Sequence, residues 1–274
     1  MRFDDKMIEG LNTILEEAAL SEIMPRFRKL DTGDIRQKTS ASDLVTEADV
    51  NAERVITAEL RRRFPDALIV GEEACSEDES LLDGLADAEL AFTIDPVDGT
   101  FNFASGMPIF GVMLAVVQRG ETVAGLIHDP IGKDTLLASR GAGAWVRRGE
   151  GDRTRVKVAE RATFDQMTGA VSWQYFEAED RLKLAVNQTR CLASFNYRAA
   201  AAEYRMLATG CCHFVVYGHL MPWDHLPGVL ICEEAGGHVA HLDGKPYRAG
   251  RTDGGILCAT DPDSWHMLRR ELWA

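Results

Sequence analysis

The feature that most constrains this chain is the stretch IDPVDGTFNF, residues 94–103. β-Prone residues before Asp95 predict the end of a strand, and Pro96 excludes a helix at that point. Because the residue before a proline takes an extended geometry, Asp95 should lie at the strand's tip with Asp98 one tight turn later. Gly99 then lets the backbone come close to a ligand. Any fold of this chain must therefore end a strand in two carboxylates that point at one place.

Two hard oxygen donors in such a turn indicate Mg²⁺. Thr100 adds a hydroxyl and an amide where a short helix could begin, an arrangement that binds anions. The same residues also fit an Asp-Pro, Asp-Gly surface turn whose acids are merely solvated. The stretch alone leaves both interpretations open.

Composition narrows the class of protein. The chain has 274 residues, of which 46% are hydrophobic and 27% charged, so it can bury a substantial core. Its formal charge of −13 opposes nonspecific attraction to nucleic acid or to an anionic membrane, and we expect neither as a partner. No apolar run approaches the roughly 18 residues of a membrane span, and the first residues lack a signal-peptide pattern, which predicts a cytoplasmic location. The six cysteines and seven histidines show no zinc spacing.

Hydrophobic periodicity predicts helices and then an antiparallel sheet in the first half of the chain. Thr46 and Asp49 have the spacing of a capping box at the start of the second helix. The short strands that follow one another after residue 109 are typical of a meander. The expected elements are helices over 5–23 and 46–64, and strands over 67–70, 109–118, 122–127 and 134–138.

Glycines and charges between residues 141 and 155 predict a boundary near residue 150. We therefore expect an N-terminal α+β domain, 1–150, with most of the metal ligands, and a C-terminal α/β domain, 151–274. Alternating strands and helices favour the α/β class for the second half. Its expected strands cover 168–173 and 213–217, and its helices cover 180–189, 198–209 and 225–235.

Oxygen donors lie at the ends of several predicted segments. Asp49 is at a helix start, Glu72 follows a strand, Asp95 and Asp98 share the turn, and Asp224 precedes a late helix. A two-metal phosphatase needs such a set, because Mg²⁺ binds a few carboxylates together with the substrate phosphate.

The two outlying acids also have structural interpretations. Asp49 could be a first-turn acid that interacts favourably with the helix dipole. Asp224 alone fits a helix N-cap. Pro227 removes the amide that such a cap would commonly bind, which would leave the Asp224 oxygens available to a metal.

The segments KTSASDLVTEAD, GEE, IDPVDGTFNF and WD followed by EEAGG resemble the inositol monophosphatase family in order and spacing, over nearly the whole chain. The resemblance implies a layered α/β/α/β/α sandwich of the inositol monophosphatase and fructose-1,6-bisphosphatase type. It also implies two or three Mg²⁺ ions, inhibition by lithium and a homodimer.

The resemblance assigns the metal ligands. Glu72 and Asp95 would bind the first metal, and Asp95, Asp98 and Asp224 the second. The carbonyl of Val97 would complete a site.

The resemblance also assigns the catalytic residues, which are Asp49, Thr100 and Glu72. Thr100, with Asp49 behind it, would polarise a water on the first metal for in-line attack on phosphorus. The amides of Gly99 and Thr100 would hold the phosphate oxygens. Lys38 would lie near the metal cluster, although a solvated surface lysine fits the sequence as well.

Two residues depart from the family pattern and bear on the substrate. Tyr217 stands where the family often has an acid that holds sugar hydroxyls, and a phenol offers a single group where a carboxylate binds two hydroxyls. Arg198 indicates a substrate with a second anionic group. The alternative for Arg198 is a helix-start arginine paired with Glu203 or another surface acid.

These inferences predict a Mg²⁺-dependent phosphomonoesterase that acts on a small ester. Inositol monophosphate is the family's usual substrate, and the alternatives are fructose 1,6-bisphosphate, histidinol phosphate and a 3′-phosphonucleotide. A rival of another class is a non-catalytic regulatory or binding protein that keeps the fold. The complete set of acids speaks against that rival, because a binding module does not need it.

Overall fold

The computed structural model describes residues 3–37, 44–149 and 151–274. Helices and strands alternate irregularly along these residues. The α-helices are α1 (Asp5–Ala18), α2 (Glu47–Arg63), α3 (Glu72–Glu77), α4 (Thr100–Ala104), α5 (Ala178–Asn187), α6 (Ala200–Ala208), α7 (Pro222–Glu234) and α8 (Pro262–Leu272). The strands are β1 (Ile35–Gln37), β2 (Leu44–Thr46), β3 (Leu68–Gly71), β4 (Ala91–Asp98), β5 (Gly111–Gln118), β6 (Glu121–Asp129), β7 (Asp134–Ser139), β8 (Gly143–Arg148), β9 (Asp152–Val156), β10 (Thr168–Val171), β11 (Ala193–Phe195), β12 (Phe214–Tyr217), β13 (His238–His241) and β14 (Ile256–Ala259).

A seven-stranded sheet forms the first half, in the order β3-β4-β5-β6-β7-β8-β9. Strand β3 runs parallel to β4, and β4 to β9 form an antiparallel meander. Arg119 and Gly120 between β5 and β6 both have positive φ, 51° and 77°. This backbone matches the twist of the flanking strands and closes a tight hairpin. The predicted meander is confirmed.

A five-stranded mixed sheet forms the second half, in the order β11-β10-β12-β14-β13. Strand β10 runs parallel to β11 and β12, whereas β14 runs antiparallel to β12 and β13. The predicted α/β character of this half is confirmed, with strand and helix ends that differ from the predicted ones by a few residues.

The two sheets and the helices form five layers. Helices α1 and α2 cover one face of the first sheet, and their core includes Ile56 and Phe92. Helices α6 and α7 lie between the sheets, in a core that contains Tyr204 and Val215. Helices α5 and α8 cover the outer face of the second sheet. The expected α/β/α/β/α sandwich is therefore confirmed.

The division near residue 150 stays a prediction. Strand β9 belongs to the first sheet and continues to Val156. The core between the sheets draws residues from both halves, so the halves share their interior.

Helix α7 packs very closely against its neighbours. A Cβ at Gly228 would lie 2.1 Å from the Tyr204 ring, and one at Gly125 would lie 2.7 Å from the Pro227 carbonyl oxygen. Neither position has room for a side chain. Glycine is thus required on both sides of the helix whose first turn carries Asp224. No helix within the described residues is long and apolar enough to cross a membrane.

Candidate active site

Strand β4 carries the turn that the sequence singled out. Asp95 and Asp98 are buried, at 2% and 8% exposure. The pairing of β4 with β5 shifts register between them, and such a bulge re-aims side chains. Gly99 has φ 89°, and a Cβ there would lie 2.9 Å from the Ile109 carbonyl oxygen. Only glycine fits this conformation and this space, after which α4 begins at Thr100.

Thr100 contacts Asp49 across 51 residues of sequence. The Thr100 hydroxyl lies 2.9 Å from Asp49 Oδ1 and 3.0 Å from the Val97 carbonyl oxygen. A hydroxyl has one proton and can donate it to either acceptor. The hydroxyl and carboxylate that the resemblance paired are therefore neighbours.

Asp49 is held from behind by the capping box that the sequence predicted. The Thr46 amide donates to Asp49 Oδ2 at 3.0 Å, and the Thr46 hydroxyl also donates to this oxygen. Complete burial raises the pKa of Asp49 to about 6, and the negative charge of Glu72 acts in the same direction. Asp49 thus completes the capping box of its helix and also faces Thr100, so one carboxylate makes the contacts that both interpretations require.

The acids of the candidate metal site act on one another. Burial raises the pKa of Asp95 well above its usual value, and the charges of Glu72, Asp98 and Asp224 raise it further. A hydrogen bond between Asp95 and Asp224 acts in the same direction. These acids come from β4, α3 and α7, so the fold concentrates negative charge that a divalent cation would neutralise.

Asp98 also binds the first turn of α6. Its Oδ1 accepts from the Ala200 amide at 3.0 Å, and its Oδ2 accepts from the Ala201 amide at 2.7 Å. Burial raises the pKa of Asp98 to about 7 although these two amides oppose the shift. Asp98 therefore joins the turn that carries Asp95 to the layer between the sheets.

Glu72 directly follows β3, as predicted, and it begins the short helix α3. The start of α3 is fixed by Glu53, whose carboxylate accepts from the amides of Glu73 and Ala74 at 2.7 and 2.9 Å. A Cβ at Gly71 would lie 2.3 Å from the Glu53 carboxyl carbon, so only glycine leaves room for this carboxylate. Our sequence interpretation missed Glu53, although an acid on the apolar face of α2 was a visible signal.

Asp224 is not the N-cap of its helix. Helix α7 begins at Pro222 with Met221 as N-cap, and Asp224 lies in the first turn. Proline favours the first helical position because its fixed φ suits it, and that signal was overlooked. The argument that Pro227 frees Asp224 from capping therefore does not apply.

His225 anchors the same turn of α7. Its Nε2 lies 2.8 Å from the His219 carbonyl oxygen, and its Nδ1 lies 3.1 Å from the Tyr204 hydroxyl. Because a carbonyl only accepts, Nε2 carries the proton and Nδ1 accepts from Tyr204. Complete burial lowers the pKa of His225 to about 3, so the imidazole is neutral.

Arg198 lies beside the end of the turn that carries Asp95 and Asp98. Its guanidinium carbon is 3.7 Å from the centre of the Phe101 ring, which is a cation–π contact. Phe101 directly follows Thr100 in the chain. The exposed Arg198 side chain is thus next to the residues expected to hold phosphate.

Tyr217 is buried at 6% exposure, with its ring against those of Tyr204 and His225. Burial raises the pKa of Tyr217 well above its usual value, and the nearby Glu203 carboxylate raises it further. The Tyr217 hydroxyl lies beside that carboxylate but makes no hydrogen bond of regular geometry within the described residues. Because the hydroxyl faces the interior, we do not include Tyr217 among the proposed substrate contacts.

The donor set fits a hard cation. Among the predicted ligands it consists of carboxylate oxygens and the Val97 carbonyl, which suit Mg²⁺ better than Zn²⁺. No three His, Cys, Asp or Glu side chains in the described residues are already grouped around one metal position. The expectation of a hard cation therefore rests on the chemistry of the donors and on the neighbouring negative charges that act on Asp95. Lys38, predicted near this cluster, lies outside the described residues.

The comparison with known families decides what this site belongs to. The family model described as the inositol monophosphatase family matches residues 4–273. The chain belongs to the inositol monophosphatase family. A Thermotoga maritima protein named fructose-1,6-bisphosphatase/inositol-1-monophosphatase is 35% identical to it over 79% of this chain and 78% of that protein. A Xylella fastidiosa protein named Nus factor SuhB is 30% identical over 81% of this chain and 77% of that protein.

The solved structure of a Thermotoga maritima IMPase resembles this chain with a TM-score of 0.79 and 28% identity. The match covers 98% of this chain and 96% of that one. The layered inositol monophosphatase fold is thus shared over the full length, and membership in the family supports a phosphatase activity.

Proposed function

We propose that this protein hydrolyses a small phosphate monoester with Mg²⁺ as cofactor. One arrangement carries the proposal. The hydroxyl of Thr100 contacts the buried carboxylate of Asp49. Beside this pair, the negative charges of Glu72, Asp98 and Asp224 all act on Asp95. Phosphoryl transfer needs this combination, because positioning and charge neutralisation supply most of the catalysis.

The ions would be held by the carboxylates and by one main-chain oxygen; these ligands are Glu72, Asp95, the Val97 carbonyl, Asp98 and Asp224. When bound, divalent cations act as Lewis acids and lower the pKa of water. The Thr100 hydroxyl orients the attacking water and takes up its proton while it donates its own proton to Asp49. The raised pKa of Asp49 makes it a better base for this relay. The amides of Gly99 and Thr100 bind phosphate oxygens.

Arg198 supports a substrate with a second anionic group. A guanidinium presents several N–H donors in a plane, which suits a phosphate or carboxylate. Its cation–π contact with Phe101 keeps it beside the turn. Fructose 1,6-bisphosphate is therefore the first candidate, in agreement with the name of the Thermotoga maritima relative. Inositol monophosphate, histidinol phosphate and a 3′-phosphonucleotide remain in the panel to be tested.

Relatives named Nus factor SuhB favour a second candidate function, a regulatory protein that works through partners. Such a protein does not need the relay between Thr100 and Asp49. We propose the enzyme as the primary function, active as a cytoplasmic homodimer and inhibited by lithium. Lithium inhibition, the dimer and the location can be measured separately from activity.

A phosphate-release screen tests the proposal. The purified protein is assayed on sugar, polyol, amino-alcohol and nucleotide phosphates, with Mg²⁺ and then with EDTA. We expect release that requires Mg²⁺ and that falls strongly in Asp49→Asn. Absence of release from the whole panel, with a folded protein, would favour the regulatory candidate.

A further inference from the structure

Four residues, Asn196 to Ala199, connect β11 to α6 and carry Arg198; we refer to them as the Arg198 loop. Arg198 has φ 55°, which lies in the left-handed region that residues other than glycine rarely adopt. Such a backbone costs on the order of 1–3 kcal/mol and persists only where the surroundings enforce it. The contacts of this loop should therefore show what enforces it.

Two side chains from other elements bind the loop backbone. Glu203 Oε1 accepts from the Tyr197 amide at 2.8 Å. Asn102 donates through Nδ2 to the Tyr197 carbonyl oxygen at 2.7 Å. Within the loop, the Arg198 amide donates to Asn196 Oδ1 at 2.9 Å. The peptide groups on both sides of Tyr197 are thus fixed, one by α6 and the other by α4.

Glu203 is an unusual anchor because it is a carboxylate at 1% exposure. Burial raises its pKa to about 7, and the Tyr197 amide partly offsets this shift. A buried acid is costly unless its hydrogen bonds compensate. The catalytic steps above make no use of Glu203. Its carboxylate lies between the loop backbone and the Tyr217 hydroxyl, so it joins the loop to the core.

Glu203 does not form the ion pair with Arg198 that the sequence left open as an alternative. Its carboxylate lies against the backbone of Tyr197 and close to the Arg198 amide, beneath the loop. The Arg198 guanidinium instead lies over Phe101. Glu203 thus holds the backbone of the loop in place. The conformation of that backbone in turn sets the direction of the Arg198 side chain.

We infer that Glu203 is a positioning residue that fixes the Arg198 loop, so that Arg198 binds a substrate anion other than the phosphate being cleaved. The inference rests on the proposed function, and it adds a residue that selects between singly and doubly anionic esters without touching either. Glu203 would thereby contribute to substrate specificity through the position of Arg198.

The test compares fructose 1,6-bisphosphate with fructose 1-phosphate in the full-length protein. Arg198→Ala should raise KM for the bisphosphate about tenfold and leave kcat and the monophosphate KM within about twofold, since one charge-assisted contact accounts for roughly this factor. Glu203→Gln should show the same selective rise in KM. Combined with Arg198→Ala it should add little further, because both changes act through one contact.

Glu234→Gln is the matched control. Glu234 is also a carboxylate that holds loop backbone, accepting from the Gly141 and Gly143 amides at 2.7 and 2.8 Å. It lies at the far end of α7 from Asp224. The control should leave the ratio of the two KM values unchanged.

The outcomes separate the two ideas. A selective effect of Arg198→Ala without one of Glu203→Gln would overturn the role of Glu203 and keep that of Arg198. An equal loss of kcat on both esters in Glu203→Gln would show a general structural role and also overturn it. If Arg198→Ala changes nothing selectively, the second-anion assignment fails together with the role of Glu203, whereas phosphatase activity stands.

A crystal structure of Glu203→Gln gives a readout that does not depend on turnover. We expect Arg198 to leave the Phe101 ring and its φ to become negative. Retention of the stack and of the positive φ would contradict the inference. If Glu203→Gln does not fold, Glu203→Asp serves instead, because it keeps the charge but draws the carboxylate away from the Tyr197 amide.

Discussion

Two Asp-Pro turns of this protein have the same local chemistry and different surroundings. Asp95 Oδ1 accepts from the Val97 amide at 3.0 Å, and Asp129 Oδ1 accepts from the Ile131 and Gly132 amides at 2.9 and 2.8 Å. Both turns lie at the end of a strand of the same sheet.

The Asp95 turn is surrounded by acids from two other segments, whereas the acid opposite Asp129 is its strand partner Asp134. Asp95 is buried, and Glu72, Asp98 and Asp224 raise its pKa, whereas Asp129 is half-buried at a hairpin end. The surface-turn interpretation that the sequence allowed for Asp95 describes Asp129 instead. A short motif thus predicts a turn, and the segments that the fold brings to it decide its chemistry.

The sharpest way to break this comparison is to change the two aspartates in parallel. Asp95→Asn should lower kcat/KM roughly 100-fold or more, since even groups behind metal ligands are worth about 10–100-fold. Asp129→Asn should stay within about twofold. Equal losses in Mg²⁺-dependent phosphate release would show that the two turns do not differ in function.

The relay at the Asp95 turn gives the next largest effect. Thr100→Val removes the hydroxyl whose proton would pass to Asp49 in the proposed relay, and kcat should fall about 100-fold, the lower range for general acid–base catalysis. Thr100→Ser keeps the hydroxyl and should recover most of the rate. Steady-state kinetics at saturating Mg²⁺ measure both variants, and an inactive serine variant would contradict a role for the hydroxyl.

Glu53→Gln tests whether the start of α3 positions Glu72. The amide group can no longer accept from both the Glu73 and Ala74 amides, so affinity for Mn²⁺ as a probe of the metal site should fall about tenfold. Calorimetric titration with Mn²⁺ measures this without turnover. An unchanged affinity in a folded variant would mean that Glu72 does not depend on Glu53.

Mg²⁺ should stabilise the protein more at pH 8 than at pH 5. The raised pKa values of Asp95 and Asp98 mean that both carboxyls hold protons at low pH, and a cation must displace these protons. At a Mg²⁺ concentration of about 100 times Kd the gain should approach roughly 2.7 kcal/mol at the higher pH. Thermal unfolding with Mg²⁺ or EDTA checks this, and Asp95→Asn should lose most of the difference.

The last prediction concerns how the stability of the protein depends on the ionisation of Glu203. Its pKa is raised from 4.5 to about 7, so its stabilising contribution is complete below pH 4.5 and is lost as pH rises toward 7. The free energy of unfolding should therefore fall across this range by on the order of 1–3 kcal/mol more in the natural protein than in Glu203→Gln. Urea unfolding at several pH values measures the difference, and parallel curves would contradict the shift.

Features that depend on neighbours in sequence were predictable. The capping box at Thr46 and Asp49 and the hairpin at Arg119-Gly120 are encoded by residues close together. The error at α7 was also local, because Pro222 starts the helix two residues before Asp224.

The carboxylates that bind distant backbone could not be predicted in the same way. Glu53 and the amides it binds are 20 and 21 residues apart. Glu203 serves a loop only six residues away, but the need for it arises from the positive φ at Arg198, which no propensity predicts. Acids on the buried faces of α2 and α6 were the available signal, and it identifies such residues without revealing their partners.

Both carboxylate oxygens of Asp98 accept hydrogen bonds from the amides at the start of α6. In the proposed mechanism the same carboxylate also binds a cation. A single carboxylate would then be shared between ion and helix, and α6 leads directly back into the Arg198 loop. By thermodynamic reciprocity, any change that the ion makes in the affinity for substrate must be matched by an equal change that substrate makes in the affinity for the ion. Cofactor and substrate would therefore enter this site as interdependent ligands.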